Sequence, residues 1–507
     1  MNASSKKLAI IISYVYLIVN TISQIILTPF YLDKLGVDEY GLYQMIYSVA
    51  QYILIIDCGI STTMIRYISE FRAQNDKEKE QGFGFLIFVF VIVVVSIVLI
   101  AGLFIRANLS SIYSTLTASE LKLSQGIFIA MIIQIMMTIA SHYLEGVIMA
   151  YERYTFSKTL NLCKIILTLV LNYVFILSGM GIYGIVVANT VAIGCVFLAE
   201  IFYVVFVLKF KIKFYGFPKE VIIAAASLML ALLLQSIIGH VNATIDKTIL
   251  GIYSTKENVA IYSVANTFVT FFNTVPSVIS SVFLPSAVKL VVAKVDNEEL
   301  TDFVIKPGRI QFISVAFVFV EFLLVGKAFI RRWAGTELAN AWMIALIIMV
   351  PNSIPLIQNV CLSILNAQNK RLARSIILVM ISVINVFVSV FLIKRFGLMG
   401  APIGTSISYI LGHCIVMNIY YKKVIGLNVF RMFKEIFKGT LLCSIITVVV
   451  CLPLYFVNWG WGYAEIFAKA LIVAAVYGIL IFKFSLNSGE RTVVNNILKK
   501  LSFKRIV

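Results

Sequence analysis

The sequence predicts an all-α polytopic membrane protein of about fourteen transmembrane helices, built as two pseudo-symmetric six-helix halves with two further helices behind them. Three observations predict it. Hydrophobic residues make up 61% of the 507 and charged residues only 13%, against about 45–50% and about 25% in soluble domains. Apolar runs of 18 or more residues recur along the whole chain, each long enough to cross about 30 Å of hydrocarbon. Landmarks of the first half return in the second at offsets of 213 to 219 residues. The first observation excludes a soluble enzyme of several domains. The second excludes a β-barrel, whose strands are about 10 residues of alternating polarity.

The runs place spans at about 8–30, 41–62, 83–105, 124–149, 160–178, 182–208, 220–243, 258–283, 310–330, 341–365, 373–393, 400–421, 436–457 and 464–485. The first lacks a small-residue cleavage site and is long enough to span, so it is expected to stay as a helix. The spans divide into an N-terminal half, 1–210, a C-terminal half, 211–425, two helices in 426–485 and a basic tail, 486–507. What remains averages about 14 residues per loop, too little for a folded extramembrane domain of at least about 50.

Lys and Arg number 42 against 24 Asp and Glu, a net charge of +18. In a soluble protein that balance points to nucleic acid. Here the basic residues lie in short loops, 29 on the side of the N-terminus and 10 opposite, which is the positive-inside bias and predicts cytoplasmic termini. The 7 cysteines are scattered and form no C-x-x-C pair, and the 3 histidines are far apart. No disulfide framework, metal site or cofactor is indicated. Nothing resembles a P-loop, so ATP is not the expected energy source.

The repeat is the most informative feature. Leu35-Gly36 precedes Tyr40-Gly41-Leu42-Tyr43, as Leu250-Gly251 precedes Ala260-Ile261-Tyr262. Gly181-Ile182-Tyr183-Gly184 ends a hairpin, and Gly397-Leu398-Met399-Gly400 ends another 216 residues later. Ala150-Tyr151-Glu152-Arg153 matches Ala367-Gln368-Asn369-Lys370 in kind. Paired halves of even helix count are how many transporters build alternating access around a midplane site; a duplicated scaffold without transport is the duller alternative.

Polar residues recur at helical spacing in three spans: Asn20 and Gln24 in the first, Gln44, Tyr47, Ser48 and Gln51 in the second, Asn266, Thr270 and Asn273 in the eighth. Such faces meet other helices or a water-filled cavity, and the cavity is the preferred reading for Asn20, Gln24, Tyr47, Gln51, Asn266, Thr270 and Asn273. Ionisable residues inside spans are functional candidates by default. They are Asp57, Glu145 with His142, Lys164, Glu200 and Glu321. Arg66 stands nine residues beyond Asp57, about 13 Å along a continuous helix. Snorkelling is the alternative for Lys164, and pairing with a basic loop for Glu200. A mid-span carboxylate such as Glu321 needs a partner, a proton or a cation.

Thr28-Pro29-Phe30-Tyr31, Leu35-Gly36, Tyr40-Gly41-Leu42-Tyr43 and Asp57-Cys58-Gly59-Ile60 with Arg66 resemble the N-terminal signature of Wzx-type polysaccharide flippases of the multidrug/oligosaccharidyl-lipid/polysaccharide exporter superfamily. Asp246-Lys247, Leu250-Gly251 and Tyr262-Ser263 look like the same family's seventh-helix region. The resemblance implies a bacterial plasma-membrane protein that carries undecaprenyl-diphosphate-linked oligosaccharides to the outer leaflet through a cavity lined by helices one, two, seven and eight. It implies the bilayer and the lipid-linked glycan as partners, with other polysaccharide-assembly membrane proteins beside them. A diphosphate needs cations, and Arg66, Arg153, Lys164, Lys247 and Arg309 lie near the expected cavity helices or their mouths, with Asp246 beside Lys247. Sugars suit aromatic faces, and Tyr14, Tyr16, Tyr43, Tyr47 and Tyr52 cluster in helices one and two. Inside the spans, however, the expected cavity is not strongly cationic. A drug or metabolite antiporter of the same superfamily is a second reading, and a membrane-embedded glycan polymerase or acyltransferase a third.

Overall fold

Each predicted span falls on helix in the computed structural model, which describes residues 3–492 except 217–218, 294, 369–370, 458 and 461, and also residue 495. Asn369 and Lys370 of the expected linker, and residues 496–507 of the basic tail, lie outside the described residues. The chain forms two compact units, Met1–Ser263 and Val264–Val507.

Unit one contains α1 (Ala3–Ile53), α2 (Ile60–Ala73), α3 (Lys77–Ala107), the single turn α4 (Leu109–Ile112), α5 (Ala118–Ala150), α6 (Tyr154–Leu177), α7 (Gly181–Phe202) and α8 (Lys219–Tyr253). α9 (Lys256–Val292) begins in it and continues into unit two. Unit two adds α10 (Asn297–Trp333), α11 (Ala341–Ile357), α12 (Asn359–Ala367), α13 (Arg371–Phe396), α14 (Gly400–Tyr409), α15 (Met417–Tyr420), α16 (Val429–Phe437), α17 (Thr440–Phe456) and α18 (Tyr463–Leu480). α5 is a core helix of unit one, burying a run from Ile127 to Ile148 at helical spacing against α2, α3 and α7. α8, grouped by the repeat with the second half, packs in unit one against α1 and α2.

By length and apolarity, 10 helices among the described residues can cross a membrane, or 11 if the pair Ala341–Ile357 and Asn359–Leu365, bent by 41°, is one span. The difference from about fourteen has identifiable sources. Predicted spans one and two run together as Val15–Ala73, and eleven and twelve as Ala373–Ile425. Inside the first, Gly36 breaks the helix with φ 79 and ψ 170, a conformation glycine alone adopts freely.

Within each unit, alternate loops meet at the same end. Tyr151 donates to Glu80 at 2.7 Å and carries the Arg72 guanidinium over its ring at 3.5 Å, joining the α2–α3 and α5–α6 loops. Burial and that carboxylate push the Tyr151 phenol up to about 12, so it stays a donor. At the other end Lys256 pairs with Glu120, and Gly41 lies against the Lys256 backbone. In unit two Arg309 binds Glu490 at 2.9 Å and the carbonyls of Glu435 and Ser485, both at 2.8 Å. Arg332 faces Tyr463 at the opposite end. Such alternation is what successive single crossings require.

Candidate functional site in unit one

The second predicted span does not run as one helix. After α1 the chain makes a 3-10 turn, Leu54–Asp57, and then two left-handed residues, Cys58 at φ 51 and Gly59 at φ 66. The continuous 13 Å helix expected between Asp57 and Arg66 is therefore corrected to two pieces with a break between them. Glycine takes this conformation without penalty, and Cys58 is strained by it. Gly59 is required a second time, since any Cβ there would stand 2.5 Å from Leu232 of α8. Backbone released from the helical ladder at membrane depth is tolerated only inside protein or beside water, and such breaks mark ion and substrate sites.

Around the break the fold gathers five ionisable side chains from four elements. Asp57 Oδ1 lies 2.8 Å from His142 Nδ1, with 18% and 32% of their side chains exposed. One turn along α5, Glu145 accepts from Ser157 at 3.0 Å and Asn161 at 3.4 Å, both on α6. Ser141 donates to Glu200 of α7, which is only 4% exposed. Lys164 of α6 lies within electrostatic reach of both Glu145 and Glu200. Tyr16 of α1 lies within electrostatic reach of Glu145, and His240 of α8 within reach of Asp57. Glu145 stands five residues from the end of α5, Lys164 ten from the start of α6, and Glu200 seven from the end of the helical turn Tyr203–Val207 that continues α7, about 8–15 Å along the helix axis from those ends. Burying carboxylates costs several kcal/mol each unless they are paired and hydrogen-bonded, and here each has a partner. The assembly can hold, release and redistribute positive charge among three carboxylates, an imidazole and an ammonium.

Other predicted residues lie apart from this cluster. Arg66 on α2 and Arg153 at the start of α6 are exposed, and the Arg66 guanidinium lies 5.4 Å from the Tyr67 ring. Nearer the opposite end of unit one, Lys247 donates to Gln44 at 3.2 Å, and buried Asp246 accepts from Tyr262 at 2.6 Å. Beside them Ser48 and Tyr52 converge on Thr248, at 2.9 and 3.2 Å. Asn20 and Gln24 are half-buried on α1; Tyr47 stacks on Tyr43 at 5.8 Å and faces Gln51 one turn on. In unit two Thr270 bonds back to the Asn266 carbonyl, and Asn273 accepts from Asn352 at 2.6 Å. Glu321 stands among the apolar residues of α10, and its Oε1 has no hydrogen-bond partner among the described residues. Arg309, expected near a cavity mouth, is 6% exposed and spent on Glu490 and helix-end carbonyls.

Sequence reasoning singled out Asp57, Glu145 with His142, Lys164 and Glu200 as ionisable candidates but not Ser141, and gave no sign that they meet. A signal for Ser141 was present: Ser141, His142 and Glu145 fall within five residues of an otherwise apolar run. Their partners lie 59 to 85 residues away, a distance no periodicity reports.

The recurrent long apolar helices define a multi-pass membrane protein. Across 93% of its length the chain is similar to the inward closed conformation of the lipid II flippase MurJ, with a TM-score of 0.73, 14% identity and 97% of that chain covered. It is also similar to an inward-facing multidrug resistance MATE family transporter of the MOP superfamily, with a TM-score of 0.65, 12% identity and coverage of 83% and 95%. A third likeness is to the Vibrio cholerae MATE transporter VcmN in the bent form, with a TM-score of 0.54, 16% identity and coverage of 85% and 100%. At these identities the likeness is one of fold. No curated protein matches by sequence. Residues 5–291, more than half of the chain, match the family model for polysaccharide biosynthesis proteins. The chain belongs to that family.

Proposed function

We propose that the protein flips a lipid-diphosphate-linked oligosaccharide from the cytoplasmic to the outer leaflet of a bacterial plasma membrane, by alternating access and without ATP. The observation that carries this reading is the family match over residues 5–291, and the MurJ-like fold supports it. On this reading the protein is a transporter, not an enzyme, and both termini are cytoplasmic. Arg66 and Arg153, exposed on the basic side, capture the diphosphate through charge-assisted hydrogen bonds. The Asp57 cluster takes up the coupling cation at the helix break, and Lys247 with Asp246 forms a second polar station nearer the outer end. Glu321 is a protonatable group in unit two. Asn20, Gln24, Tyr47, Gln51, Asn266, Thr270 and Asn273 supply hydroxyl, amide and aromatic partners for sugars.

Arg66 provides the test. Arg66→Lys keeps the charge that topology needs but loses the planar fork that suits phosphate. Surface glycan should fall at least about tenfold, the ratio that loss of one charge-assisted hydrogen bond of about 1.5 kcal/mol implies, while lipid-linked precursor accumulates on the cytoplasmic face. Normal glycan at native expression would remove Arg66 from the transport machinery. Retained glycan together with lost resistance to a cationic drug would favour the antiporter reading instead.

A further inference from the structure

The segment between α15 and α17 carries charged and aromatic surface that the proposed transport pathway leaves unused. α16 buries Met432 and Ile436 on its inner face, while Phe430 is 83% exposed. A phenylalanine so exposed, on a helix flanked by lysines, belongs at the boundary between headgroups and acyl chains. Acidic neighbours are already engaged: Arg431 pairs with Glu298 and, at 2.6 Å, with Asp302, and Lys438 pairs with Glu435 at 3.7 Å. Lys422, Lys423 and Lys434 are exposed, and no ion pair among the described residues includes them.

Lys422 and Lys434 stand with Asn297, Asn428, Phe430 and Phe433 around one surface hollow. Two cations and two amides over aromatic rings form a receptor for a phosphate group. Phe437 borders this hollow and also an apolar groove between α10, α11 and α17, lined by Phe312, Val320, Leu323 and Val449. Beyond Phe437 at the end of α16, the groove follows α17 from Leu441 to Val449, about 12 Å at 1.5 Å per residue. One leaflet of hydrocarbon is about 15 Å deep, so the groove takes most of the length of one acyl chain.

We infer that the hollow and the groove together bind one anionic phospholipid from the leaflet on the basic side, its phosphate on Lys422 and Lys434 and one acyl chain along α17. Charge complementarity selects the occupant. A zwitterionic phospholipid brings its own ammonium towards the two lysines and gains less. The bound lipid fastens α16 to α10 and α17, where Phe312 and Phe437 already pack at 4.6 Å.

Native mass spectrometry of the full-length protein, titrated with phosphatidylglycerol or phosphatidylcholine in neutral detergent, tests the site. Phosphatidylglycerol should bind at least tenfold more tightly. The double substitution Lys422→Gln with Lys434→Gln should weaken it about thirtyfold, as expected for two lysines at a membrane surface. Lys422→Arg with Lys434→Arg should retain binding, and Lys423→Gln, outside the hollow, should leave it unchanged. Equal affinity for the two lipids, undiminished binding by the double glutamine variant, or an equal loss in Lys423→Gln would each overturn the inference.

Discussion

A carboxylate and an imidazole 2.8 Å apart at a helix break make Asp57 and His142 a unit rather than two contributors. Asp57 keeps His142 oriented, and His142 offsets the cost of holding Asp57 charged away from bulk water. Residues that act as a unit show non-additive losses when removed. Asp57→Asn and His142→Gln should each lower glycan export about tenfold or more at matched protein level, and the double variant should be no worse than the poorer single one. Multiplying losses would mean that the two act independently. Asp57 was legible in the sequence because an acid in an apolar run stands out. His142 was less so, since only the approach of α5 to the break, 85 residues away, supplies its partner.

The repeat survives at the scale of elements where two helices press closest. Gly181 and Gly397 open their helices or turns at the same φ of 56. Three residues on, Gly184 lies against Phe175 and Ile176, and Gly400 against Leu392 and Ile393, so the α6–α7 and α13–α14 hairpins share one close contact. The fit is not equally tight. A Cβ on Gly184 would approach backbone atoms at 3.2 Å, whereas one on Gly400 would collide with the backbone outright. Gly400→Ala should therefore destabilise by about 1–3 kcal/mol, and Gly184→Ala by less than about 1 kcal/mol. Thermal unfolding in detergent reads both, and equal melting points would contradict the difference in packing. Leu35-Gly36 and Leu250-Gly251 teach the opposite lesson. Gly36 breaks its helix, while Gly251 stays helical against Tyr113 and Met45 and the helix ends at Tyr253. Similar letters there hide different backbones.

For the whole molecule, the basic asymmetry of the loops predicts one topology, which reporter fusions test. Reporter fusions in the loops at 74–76 and 209–219 and in the tail beyond 491 should all read cytoplasmic, and one in the loop at 113–117 should read external. A cytoplasmic signal at 113–117, or an external one at any of the others, would break the map. Fold class and the positions of the helices were determined by the sequence alone, because hydropathy and helical period are local properties that a bilayer reads directly. The assembly of Asp57, His142, Glu145, Lys164 and Glu200, the break at Cys58-Gly59, the diversion of Arg309 to Glu490 and the place of α8 in unit one were decided only by tertiary structure. Each depends on contacts between helices far apart in the chain. There a buried charge settles beside whichever partner packing brings within reach.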